Sequence, residues 1–105
     1  FVRRIVHNTG NDSITLEDTV MLNAAGFCCE NFCGREEIVL KPGEAVFSRK
    51  GQQVRLCYDE ELLKAEIIQD SYIDIDNRNC PVWFLRLHSR NEAASHTIRI
   101  EITGK

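Results

Sequence analysis

Asn8-Thr9-Gly10-Asn11-Asp12, running into Ser13-Ile14-Thr15-Leu16-Glu17, decides the fold class. Asn, Gly and Asp tolerate the tight dihedrals of a reversal. Beyond them Ile14 and Leu16 face one way while Ser13, Thr15 and Glu17 face the other, the two-residue period of a half-buried strand. On the near side, Phe1 to His7 reads as the strand that enters the reversal. The device recurs at Leu40-Lys41-Pro42-Gly43-Glu44, where Pro presets the first central dihedral and Gly supplies the positive one of a type II turn.

Working outward, short alternating runs separated by turn residues fill the chain. Thr19 to Asn23 turns Val20 and Leu22 inward. Glu36 to Leu40 and Ala45 to Ser48 flank the second reversal, and Gln53 to Tyr58 alternates Val54 and Leu56 against Gln53, Arg55 and Cys57 after a turn at Gly51. Ala65 to Ile68 and Ser71 to Asp76 read as extended, with a turn over Asp76-Asn77-Arg78-Asn79. Val82 to His88 places Trp83, Leu85 and Leu87 on one face, and the final run alternates Ile98, Ile100 and Ile102 with Thr97, Arg99, Glu101 and Thr103. Asp59 to Ala65 is the one helical candidate, with Asp59 as N-cap and acids in its first turn. Ala24 to Arg35, with its glycines, three cysteines and two phenylalanines, reads as an ordered loop. The expectation is an all-β chain: one domain over residues 1–105, seven to nine short strands in two packed antiparallel sheets, and at most one short helical turn.

Phe1-Val2-Arg3, Asn8-Thr9-Gly10-Asn11-Asp12-Ser13-Ile14-Thr15-Leu16 and Leu40-Lys41-Pro42-Gly43-Glu44 resemble strand-turn-strand patterns of immunoglobulin-like domains, among them the lamin tail and major-sperm-protein-like domains. The resemblance covers roughly the first 48 residues and implies an immunoglobulin-like β-sandwich. It carries over no functional residue.

A net charge of −3 argues against a nucleic-acid partner, whose phosphates call for clustered Lys and Arg. No apolar stretch approaches a membrane span, so a soluble domain is expected. Cys28, Cys29, Cys33, Cys57 and Cys80 make an odd count that leaves one thiol over in any disulfide framework. That favours a reducing compartment, cytoplasm or nucleus, over secretion, although Asn11-Asp12-Ser13 is a formal glycosylation acceptor.

Three constellations invite a chemical reading. Cys28-Cys29-x-x-x-Cys33 offers thiolates for zinc, but lacks the paired spacing of structural zinc sites. Asp70, Asp74, Asp76, Asn77 and Asn79 crowd oxygen ligands around a turn, where such residues ordinarily close backbone hydrogen bonds. His7, His88 and His96 sit in no recognisable nucleophile-base arrangement, and the isolated glycines form no phosphate cradle. No catalytic residue, metal or cofactor is therefore assigned. Trp83 belongs by phase to the core, whereas Phe27 and Phe32 lie in the irregular 24–35 segment, where binding residues concentrate. The leading expectation is a non-enzymatic protein-protein interaction module that binds through the 24–35 loop, with Phe27, Cys28, Cys29, Phe32 and Cys33 as contact residues, or through an edge strand. The alternatives are a secreted, disulfide-stabilised effector or toxin-like domain and a metal-binding domain.

Overall fold

A computed structural model describes residues 1–8, 10 and 13–104. Thr9, Asn11 and Asp12, on which the first reversal and the glycosylation acceptor rest, lie outside the described residues. Nine strands follow in chain order: β1 (Val2–Asn8), β2 (Ser13–Gly26), β3 (Cys29–Gly34), β4 (Val39–Lys41), β5 (Glu44–Arg49), β6 (Gln52–Cys57), β7 (Leu63–Ile73), β8 (Asn79–Ser89) and β9 (Ala93–Gly104). They form a six-stranded sheet in the order β1-β2-β9-β6-β5-β4 and a three-stranded sheet in the order β3-β8-β7. Every pairing is antiparallel. The protein is all-β, as its alternation implies.

The core lies between the sheets, where alternate residues of each strand meet. Leu16, Ala45, Leu56, Ile98 and Ile100 come from the larger sheet, and Leu63, Leu85 and Leu87 from the smaller. Trp83 and Ile102 pack against this cluster in the phase the sequence assigns them. Ile14 shares the phase of Leu16 yet is 39% exposed, because three strands cannot cover six. For the same reason β1 is exposed from Val2 to His7; in the smaller sheet, residues 69–73 at the far end of β7 are exposed as well.

Gly43 takes the positive φ, +67°, expected at the second reversal. Pro42 cannot follow it there, which leaves type II geometry. Five local expectations require correction. Asp59 does cap a turn, its carboxylate accepting from the Glu61 N–H at 2.9 Å and its carbonyl from the Leu63 N–H at 3.0 Å, but no helix follows. Leu63, Ala65 and Ile67 are in phase for burial at period two, so packing of β7 overrides the helical start signal. The runs Ser13–Glu17 and Thr19–Asn23 are one strand, β2, and the extended segment before β5 is confined to Val39–Lys41. The turn expected at 76–79 sits at 74–78, closed by the Asp74 N–H to Arg78 carbonyl bond at 3.0 Å, with Asn77 at φ 61°. The largest correction concerns 24–35, which is mostly strand.

Candidate interaction site

Segment 24–35 carries the chain from one sheet to the other. β2 leaves its register with β9 after Met21 and returns at Gly26 opposite Ala93. There the His96 ring Nε2 lies 2.7 Å from the Gly26 carbonyl oxygen. The next contacts belong to the smaller sheet: the Cys28 N–H donates to Ser89 Oγ at 2.9 Å, and the Ser89 N–H donates to the Cys28 carbonyl at 2.9 Å. Phe27 occupies the corner between them and is 62% exposed.

From Cys29 the chain pairs with β8, Cys29 opposite His88 through Gly34 opposite Trp83. The pleat then sorts the side chains: Glu30, Phe32 and Gly34 turn towards the core while Cys29, Asn31 and Cys33 turn out. Among the five candidate residues, Phe27, Cys29 and Cys33 are thus exposed, and Cys28 and Phe32 pack against the core cluster. The thiols do not converge on an ion. Cys29 and Cys33 share a face but stand four strand residues apart, roughly 13 Å at the rise of a β-strand. Burial also pushes the Cys28 and Cys29 thiols up from their ordinary range, against the thiolate form a metal needs. All five cysteines are free, and no group of His, Cys, Asp or Glu suited to a metal occurs among the described residues.

The acidic cluster at the β7–β8 turn is internally satisfied. Asp74 Oδ1 accepts from the N–H groups of Asp76 and Arg78, each at 2.9 Å, and these bonds, that from Arg78 above all, hold its carboxyl below the usual range. Arg78 also donates to Asp76 at 3.0 Å. The acids build the turn.

One constellation was not anticipated. Arg3, opposite Asp18 in the β1–β2 ladder, donates through Nε and Nη2 to its two carboxylate oxygens at 2.7 and 2.8 Å. Glu30, from the facing sheet, places a carboxylate oxygen 3.8 Å from the same guanidinium and hydrogen-bonds Asp18. Asp18 is 1% exposed and Glu30 9%. Burial, and then the neighbouring Asp18, raises the Glu30 carboxyl to about 7, while the bond to Arg3 keeps the Asp18 carboxyl low. Below a pH of about 7 Glu30 therefore keeps its proton and donates a hydrogen bond to the Asp18 carboxylate, which ties β3 to β1 and β2. The available signal was phase: Asp18 stands among Leu16, Val20 and Leu22 on the inward positions of its strand.

At its other end β3 lies against β5. A side chain at Gly34 would meet the Phe47 ring at 3.1 Å. β3 therefore runs diagonally across the larger sheet, anchored over β2 at Glu30 and over β5 at Gly34. Its second edge has no strand beside it among the described residues. No helix of the described residues is long and apolar enough to cross a membrane. No known protein-family model matches the chain, and no curated protein sequence matches it either.

Proposed function

We propose that the protein is a non-enzymatic interaction module that receives an extended segment of a protein partner along the free edge of β3, with Phe27 as an apolar anchor at the start of that edge. The observation that carries this reading is a contrast among the four sheet edges, β1, β4, β3 and β7. Unprotected edges present unpaired N–H and C=O groups to any passing strand, and charged side chains or short length are the usual defences. β1 has Arg4, β7 has Lys64, Glu66 and Asp70, and β4 is three residues long. The outward side chains of β3 are Cys29, Asn31 and Cys33, with no such defence. Its one carboxyl group points in and is taken by Asp18. Two packed antiparallel sheets support the immunoglobulin-like likeness, which is part of the same proposal.

The test is affinity for a partner recovered on the wild-type domain, compared with Phe27→Ser and Cys33→Lys. The first removes the anchor and the second guards the edge. Each is expected to weaken binding at least about tenfold, with an unchanged melting temperature. Unchanged affinity in both would overturn the assignment to β3.

A further inference from the structure

The β5–β6 hairpin turns through Lys50 and Gly51, at φ 50° and 82°. Arg49 pairs with Gln52, so Lys50 and Gly51 form a two-residue hairpin loop, whose type I′ geometry calls for positive φ at both positions. The Lys50 N–H is held in place by the Glu36 carboxylate at 2.8 Å.

Beside this turn, between the last residues of β3 and the β5–β6 hairpin, lies an open groove of about 560 Å³. Its apolar lining includes Gly34, Phe47 and Val54, and its charged lining is Arg35, Arg49 and Lys50. No carboxylate lines it among the described residues; the Glu36 carboxylate, bonded to the Lys50 N–H, stands close by and offsets part of the positive charge. Gly34 keeps the aromatic surface accessible, since a β-carbon would sit 3.1 Å from the Phe47 ring. The volume falls in the range of ligand sites, which combine an apolar lining with a few charged groups. Three cationic residues line this groove, on a chain of net charge −3.

We propose that this groove recognises an acidic peptide segment, taking one apolar side chain onto Phe47 and Val54 and carboxylates onto Arg35, Arg49 and Lys50. The inference rests on the docking role of β3 and names the chemistry of the partner. Cys33 and Gly34, which end β3, also line the groove, so a strand laid along that edge runs directly into it. Charge complementarity selects the occupant: guanidinium groups pair with carboxylates in a two-pronged geometry, and the aromatic lining needs a hydrocarbon to cover it.

The experiment is an amide-resolved NMR titration of the full chain with acetyl-Asp-Glu-Phe-Glu-Asp-amide and with its uncharged counterpart, acetyl-Asn-Gln-Phe-Gln-Asn-amide. The acidic peptide is expected to shift the Phe47, Arg49 and Lys50 amides saturably, and to bind about tenfold more weakly when sodium chloride rises from about 50 to about 500 mM. Arg49→Gln with Lys50→Gln should weaken it at least about tenfold as well. Lys50→Gly, which preserves the turn while removing one charge, should weaken it about threefold. Equal binding of the two peptides, or full displacement of the acidic one by inorganic phosphate, would overturn the inference. Shifts at Arg49 and Lys50 without shifts at Asn31 and Cys33 would support the groove and refute docking along β3. The reverse pattern would refute the groove alone.

Discussion

The two ends of β3 treat charge in opposite ways. At Glu30 two carboxyl groups, from β2 and β3, are buried and satisfied by each other and by the half-exposed Arg3 guanidinium of β1, with Glu30 hydrogen-bonded to the Asp18 carboxylate. At Gly34 three cations stand around an open groove with an aromatic lining. Buried charge without a partner is among the costliest features a fold can carry, whereas exposed charge costs the fold little and is available to a ligand. One end of the strand therefore satisfies its charge within the fold, and the other leaves its charge open to solvent.

That contrast is open to direct attack by substitution. Asp18→Ala should have the largest effect, about 3 to 4 kcal/mol of lost stability in urea unfolding, because Glu30 is left in the core without the carboxylate that accepts its hydrogen bond, and Arg3 loses both of its acceptors. Should the variant fail to fold, Asp18→Asn keeps the shape and tests the charge alone. A loss within about 0.5 kcal/mol of zero, the range of ordinary surface changes, would show that the cluster bears no weight.

The next effect is on pH dependence. Glu30 is raised in the folded state to about 7 from an ordinary 4.5, so the native protein binds its proton more tightly than the unfolded chain does. Its contribution is complete below pH 4.5 and is lost as pH rises to about 7, an order of about 2 to 3 kcal/mol. Asp18 works the other way: its lowered carboxyl contributes above the usual carboxylate range and loses that contribution only in stronger acid. Unfolding free energy should thus decline between pH 4.5 and 7, and Glu30→Gln should flatten the decline. A wild-type profile that is level over this window would contradict the protonated Glu30.

The smallest effect belongs to the open end. Lys50→Gly should stabilise the protein by about 1 kcal/mol, through relief of the positive φ, and Arg49→Gln should leave stability within about 0.5 kcal/mol of the wild type. If these substitutions cost as much as Asp18→Ala, the difference between the two ends does not exist.

The same contrast explains what could be read from the residues alone. β9 was legible because Ile98, Ile100 and Ile102 repeat one inward chemistry at every second position, and the turn at Gly43 because its required φ excludes most other residues. β3 was not legible. Its inward positions hold a carboxylate, an aromatic ring and a glycine, and its outward ones two cysteines and an asparagine, so the two-residue period is present in geometry but absent from hydropathy. Glu30 fits an inward position only because its protonated carboxyl donates a hydrogen bond to Asp18, twelve residues earlier in the chain and on the other sheet. Asp59 shows the converse, a correct local cap followed by Leu63, whose 4% exposure reflects burial in a strand rather than a helix. The cation groove joins Arg35 to Arg49 and Lys50 only through the crossing of β3 over β5, which no local pattern encodes. Thiol titration should count five free groups per chain; one or none would instead support the disulfide-stabilised alternative.

Hydrogen exchange of the wild-type domain, alone and saturated with the partner it recovers, tests the docking role of β3 most directly. The account predicts slowed exchange at the β3 amides, Asn31 and Cys33 among them, continuing to Arg49 and Lys50, with β1 and residues 69–73 unchanged. Slowing confined to β1 or to the exposed end of β7, with β3 unaffected, would contradict it.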